Sequence, residues 1–119
     1  MPAPSRFVQL TADAKSRIQE VSPEEAHKRR AKGALLVDVR ETEDFAKEHA
    51  RDAMHVSRGV LEMRIEGIAP DPATPIVCYC GGGSRSALAA DNLQKMGYTN
   101  VASMAGGFKA WKEASLPIA

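Results

Sequence analysis

The chain has 119 residues, of which 44% are hydrophobic, enough for one compact domain with a buried core. Charged residues make up 26% and the formal net charge is +1, so neither nucleic acid nor an anionic membrane is implied as a partner. No apolar run approaches the ~20 residues of a membrane span, and MPAPSRFVQL lacks the charged head and apolar core of a secretory signal.

Residues 1–16 are weakly patterned and read as an N-terminal extension, with MPAPS as a loose end, so the domain proper is expected over residues 17–119. IQEVS (Ile18 to Ser22) reads as a short strand. Ser22-Pro23-Glu24-Glu25 then opens a helix: a capping serine, proline in the first turn and glutamates at the positive end. The basic run HKRRAK, His27 to Lys32, suits the solvated face and last turn of that helix, which Gly33 stops. ALLVDV (Ala34 to Val39) is apolar without alternation, the pattern of a strand buried on both faces of a parallel sheet. Glu41 to Glu48 is helical, AMHVS (Ala53 to Ser57) a short strand, and GVLEMRIEG (Gly59 to Gly67) a short amphipathic helix. After the turn-rich PDPATP comes a second fully apolar strand, IVCYC, Ile76 to Cys80. Ser84 to Met96 places Ala87, Leu88, Ala90, Leu93 and Met96 at helical spacing, closed by Gly97. NVASM is a last strand and GGFKAWKEASLP a last helix ended by Pro117. Strands alternating with helices predict an α/β fold, a parallel sheet covered on both faces.

The stretch that carries chemistry is CGGGSRS, Cys80 to Ser86. In a parallel α/β sheet, ligands bind at the carboxyl ends of strands, where loops lead into helix N-termini. Such a loop presents unpaired amides that together form an anion site. Glycine lets those amides turn inward, with no Cβ to block the centre. Lowering a thiol pKa by two units takes roughly 2.7 kcal/mol. A helix terminus supplies about 0.3 to 1 kcal/mol, whereas each hydrogen bond to a charged group contributes about 1.5 to 3 kcal/mol. The loop amides, with Arg85 assisting, are therefore expected to hold Cys80 as a thiolate. Cys78 reads as a small core residue. It lies ~6.6 Å of extended rise from Cys80, near the upper limit for a disulfide, and no second Cys or His pair accompanies the two as metal ligands. Two cysteines so placed form no disulfide framework, and a cytoplasmic, reducing setting is expected.

These residues resemble the rhodanese (sulfurtransferase) family. LLVDVRETEDF is similar to that family's strand and Asp-x-Arg turn, CGGGSRS to its active-site pattern, and GYTNVASMAGGFKAWKEASLP to its closing segment with paired glycines and a tryptophan. The resemblance covers roughly residues 17 to 119. It implies a rhodanese-like domain with a central parallel sheet of about five strands and helices on both faces. It also implies transfer of a sulfane sulfur through a cysteine persulfide, with no metal or organic cofactor. Cys80 would be the nucleophile, and the backbone of Gly81, Gly82, Gly83, Ser84, Arg85 and Ser86 would cradle the persulfide. A small-molecule donor such as thiosulfate would supply the sulfur, and cyanide, a thiol or a sulfur-accepting protein would take it. Two stretches depart from the family pattern. EHARDA, Glu48 to Ala53, keeps only the histidine and final alanine of the usual turn, and Gly81 stands where thiosulfate-preferring members carry a basic residue. Arg85 and Arg58 are then the candidates for gripping a sulfonate.

The remaining suspects read as structural: Asp38 and Arg40 as an ion pair at a strand end, His49 and His55 as framework, His27 as surface, and Trp111 as packing for the last helix. Two alternatives compete with sulfur transfer. A cysteine-dependent phosphatase or arsenate reductase surrounds its oxyanion with five residues between Cys and Arg, whereas four separate Cys80 from Arg85. A catalytically silent rhodanese-like interaction module usually lacks the cysteine.

Overall fold

The computed structural model describes residues 4–119, and its first element is one to which the sequence reading assigned no structure. Arg6–Lys15 is a helix, α1, whose N-cap Ser5 accepts a hydrogen bond from the Val8 amide. Amphipathic reasoning misses it because its largest apolar side chains, Phe7, Val8 and Leu10, are exposed, while the small Thr11 and Ala14 make the buried face. A tie to the domain follows the helix: Arg17 Nε and Nη2 donate to the two carboxylate oxygens of Asp91, at 3.1 and 2.8 Å. The loose end expected over MPAPS falls partly on residues 1–3, outside the described residues.

From there the chain follows the expected alternation: β1 (Gln19–Val21), α2 (Pro23–Ala31), β2 (Leu35–Asp38), α3 (Thr42–Lys47) and β3 (Met54–His55). A 3-10 turn over Arg58–Val60 leads into α4 (Leu61–Ile68), then β4 (Ile76–Tyr79), α5 (Ser84–Lys95), β5 (Val101–Met104) and α6 (Gly107–Glu113). Ser22 caps α2 as anticipated, accepting from the Glu25 amide at 3.0 Å, and Gly33 follows in a left-handed conformation at φ 107°. Met96, expected on the apolar stripe, instead caps α5 and is exposed.

All five strands are parallel, in the order β1-β5-β4-β2-β3, which sets β4 at the centre between β5 and β2. The sheet separates two apolar layers, as a sheet buried on both faces must. Val37, Cys78, Ile65, Ala89, Ala90 and Leu93 pack on the side of α4 and α5. Leu36, Val77, Tyr79, Met104, Phe108 and Trp111 pack on the side of α2 and α6. Trp111 is fully buried and donates from Nε1 to the Pro117 carbonyl at 2.8 Å, the packing role expected of it. His27 is not a free surface residue: it is half-buried and meets the Trp111 ring edge-on at 5.6 Å. Among the described residues no helix is long and apolar enough to cross a membrane.

Candidate active site

Strand β4 ends at Tyr79, so Cys80 is the first residue beyond the central strand rather than its last. The chain then turns through Gly81-Gly82-Gly83 into α5, and Cys80 is almost wholly buried within that turn. Its Sγ accepts from the Gly83 amide at 3.1 Å and from the Ser86 amide at 3.4 Å, and lies 3.5 Å from Ser86 Oγ. Burial opposes ionisation of this thiol. The Ser86 hydroxyl and the amides of Ser86, Gly83 and Gly82 outweigh that burial, and Cys80 sits below the ordinary thiol range. Cys78, two residues earlier, has burial without such donors, and its thiol is pushed up to about 12. Both cysteines are free. One is built to ionise and the other to stay a core thiol.

The three glycines are not equivalent. Only Gly83 has a positive φ, 102°, and a Cβ there would approach the Gly106 nitrogen to 3.3 Å. A Cβ on Gly81 would meet only the tip of Arg85, at 3.9 Å, and one on Gly82 nothing within 4 Å. Gly83→Ala is therefore expected to cost roughly 1 to 2 kcal/mol in backbone strain and to turn its amide off the sulfur. It should lower the iodoacetamide alkylation rate of Cys80 at acid pH and displace the pH profile upward, while Gly81→Ala stays close to wild type. An unchanged profile in Gly83→Ala would show that these amides do not set the ionisation.

The loop is held from its far side by the start of α6. The Phe108 amide donates to the Cys80 carbonyl at 2.8 Å, and the Lys109 amide to the Gly81 carbonyl at 3.2 Å. In a trans peptide the carbonyl and the following N–H point in opposite directions. Anchoring the carbonyls of Cys80 and Gly81 on α6 thus turns the amides of Gly81 and Gly82 away from it. This approach is possible only because residue 107 is glycine: a Cβ there would lie 2.5 Å from the Cys80 carbonyl oxygen and 2.6 Å from the Gly81 carbonyl carbon and oxygen. The paired glycines were legible as a motif, but their contact with the Cys80 loop was not.

Arg85 stands at the rim of the loop, its guanidinium beside Gly81, and makes no hydrogen bond or ion pair among the described residues. Gly81 also forms one wall of a groove of about 450 Å³, lined besides by Phe108, by the basic Arg40, Lys47, Lys109 and Lys112, and by the acidic Asp44, Glu48 and Glu113. Arg58 is elsewhere. Its Nη1 donates to both Glu62 carboxylate oxygens, at 3.0 and 2.8 Å. The side chain lines a cavity shared with Leu10, Arg17, Leu88 and Asp91, against α1 rather than the Cys80 loop. Its pairing with Glu62, one turn on, removes it from the residues brought together around the sulfur.

Asp38 and Arg40 form the expected buried pair: Arg40 Nη2 donates to Asp38 Oδ2 at 2.8 Å, and the Arg40 amide to Asp38 Oδ1 at 2.9 Å. The same guanidinium lies over the Phe108 ring at 4.5 Å, so this strand end also braces α6. His49 stacks on Phe45 at 3.7 Å, and His55 Nε2 meets the Arg40 carbonyl at 2.8 Å, both as framework. Among the described residues no group of three His, Cys, Asp or Glu is placed to hold a metal ion.

Comparison with known proteins agrees with this geometry. The chain is 38% identical over 100 residues to the thiosulfate sulfurtransferase GlpE of Haemophilus influenzae, covering 84% of this chain and 93% of that protein. A solved structure from Rhodopseudomonas palustris, described as a protein of unknown function and "Possible Tyrosine Phosphatase", superposes with a TM-score of 0.84 at 33% identity. That match covers 100% of this chain and 99% of that one, α1 included. The polysulfide-sulfur transferase homodimer of Wolinella succinogenes matches with a TM-score of 0.81 at 28% identity, over 95% of this chain and 86% of that one. The family model for the rhodanese-like domain matches residues 22–114, from the cap of α2 to the end of α6. With its central-strand cysteine loop and five-stranded parallel sheet, the chain belongs to the rhodanese-like domain family.

Proposed function

We propose that this protein is a sulfurtransferase that carries sulfane sulfur on Cys80 as a persulfide. The observation that supports this most is the set of donors converging on one sulfur: two amides within 3.4 Å and a hydroxyl at 3.5 Å, in a buried loop at the carboxyl end of the central strand. The thiolate attacks the outer sulfur of a donor such as thiosulfate. The donor's S–S bond breaks, sulfite leaves with the electron pair, and a new S–S bond joins the transferred sulfur to Cys80. A nucleophilic acceptor, cyanide in an assay or a thiol in the cell, then attacks that outer sulfur and releases the Cys80 thiolate. Sulfite, the first product, leaves before the acceptor reacts, so kinetics are ping-pong. Donors that accommodate a thiolate also accommodate the terminal charge of a persulfide, because an anion remains at the loop in both states. Arg85, at the rim and free of ion pairs among the described residues, is the side chain positioned to meet an anionic donor. The groove beside Gly81 offers a route for a larger thiol or a protein acceptor. A reducing compartment suits both free cysteines.

Incubation with thiosulfate is expected to leave the protein about 32 Da heavier by non-reducing intact mass, the added sulfur mapping to Cys80 and lost again on reduction. Turnover without any mass increase would rule out the covalent route. Hydrolysis of an aryl phosphate in place of sulfur transfer would instead favour phosphatase chemistry.

A further inference from the structure

One polar contact behind the loop has no part in the mechanism above. Ser103, on β5, is fully buried, and its Oγ lies 2.8 Å from Ser86 Oγ. The register pairs Ser103 with Cys78, so its side chain emerges on the α5 face of the sheet, beneath the start of that helix. A buried hydroxyl on an otherwise apolar strand loses solvation unless it is hydrogen-bonded. Among the described residues Ser86 Oγ is its one partner, and Ser86 Oγ has only Ser103 and Cys80 Sγ.

The direction of these bonds follows from counting protons, since each hydroxyl donates one and can accept two. If Ser86 donated to Ser103, the Ser103 hydrogen would be buried without an acceptor, and Ser86 would turn a lone pair towards the sulfur. If Ser103 donates to Ser86, the Ser86 hydrogen is directed at Cys80 Sγ and both hydrogens are used. A donor that is itself accepting a hydrogen bond also becomes a stronger donor. We propose that Ser103 is a positioning residue that locks the Ser86 hydroxyl as a donor to the Cys80 sulfur. The inference deepens the reading above and rests on Cys80 as the reacting thiol.

Other ionisable groups near the sulfur are few. Cys78 lies behind it on β4, Arg85 stands at the rim from α5, Arg58 bears electrostatically on Cys78 from the 3-10 turn, and Lys109 reaches the Gly81 groove from α6. Cys78 neighbours Ser103 across the β4–β5 ladder, but among the described residues none of these groups hydrogen-bonds to the Ser103–Ser86 pair, so substitution of Ser103 reads the hydroxyl relay.

The test is the iodoacetamide alkylation rate of Cys80 against pH, measured without any sulfur donor and so independent of whether sulfur transfer itself occurs. Cys78, buried with its thiol pushed up to about 12, does not report in this range. Ser103→Ala should displace the profile to higher pH and slow alkylation about three- to tenfold at a fixed pH on its rising limb. Ser103→Thr, which keeps the hydroxyl, should retain the wild-type profile. In a Ser86→Ala background, adding Ser103→Ala should change nothing further, because the relay is already broken. A wild-type profile in Ser103→Ala, or a further displacement in the double variant, would overturn the proposal. The thiosulfate mass shift separately reports on sulfur transfer, so the two readings can fail independently.

Discussion

Replacing Cys80 with serine is expected to reduce thiosulfate:cyanide sulfur transfer to the uncatalysed rate, whereas Cys78→Ala keeps most of the wild-type turnover. The two thiols are two residues apart, yet their surroundings differ in kind. Gly83, Ser86 and Gly82 offer donors to Cys80, while Cys78 is packed among apolar side chains and paired in register with Val37 and Ser103. A serine at position 80 does not ionise at neutral pH and cannot form a persulfide, so both half-reactions are lost. Alanine at 78 leaves a void of one sulfur atom, costing about 1 kcal/mol of stability without touching the loop. Alanine is the cleaner substitution there, since a serine hydroxyl beside Ser103 would offer a competing partner. The pH dependence separates the thiols further. With its pKa depressed by those donors, Cys80 gains thiolate at lower pH than an unperturbed thiol does, so transfer should reach its plateau before an unperturbed thiol would. Steady-state rates across pH check this. Equal loss in both variants, with folding intact, would point to a mechanism that uses both cysteines.

The second large effect is expected far from the motif in sequence. Gly107→Ala should destabilise the fold by about 3 kcal/mol or more, combining a left-handed residue's steric penalty of roughly 1 to 2 kcal/mol with overpacking of typically 1 to 3 kcal/mol. Gly107 has φ 59°, and the added methyl would overlap backbone atoms of Cys80 and Gly81 that have no flexible end to yield. Either α6 retreats or the loop does. Retreat breaks the bonds from the Phe108 and Lys109 amides to the Cys80 and Gly81 carbonyls, which orient the following amides. Thermal melting should fall by on the order of 10 °C, and the residual folded protein should transfer sulfur at least about tenfold more slowly. Gly82→Ala is the control, because its Cβ would meet nothing within 4 Å and its φ is not positive. A Gly107 variant with wild-type melting and activity would show that α6 does not brace the loop.

The pattern of elements was open to reading because local rules suffice for it. The unbroken apolar runs at Leu35–Asp38 and Ile76–Tyr79 mark strands covered on both faces, and Ser22-Pro23 and Gly33 punctuate α2. The cysteine followed by three glycines, serine and arginine located the loop, and it singled out Gly83, whose φ is 102°. What the linear pattern hides depends on distance through space. α1 shows its large apolar residues to solvent and buries small ones, so its docking on α5 leaves little periodic trace. Arg58 looked available at a strand end, but the fold turns it into the cavity against α1, away from the Cys80 loop. Ser103 and Gly107, 23 and 27 positions beyond Cys80, carry no local mark of a role in its loop. Only the parallel pairing of β4 with β5 brings them there, because adjacent parallel strands end side by side and deliver their following segments to the same edge of the sheet. Composition and short-range order determined that a glycine-rich cysteine loop would stand at a strand end, and tertiary packing decided which distant hydroxyl and which distant backbone lie against it.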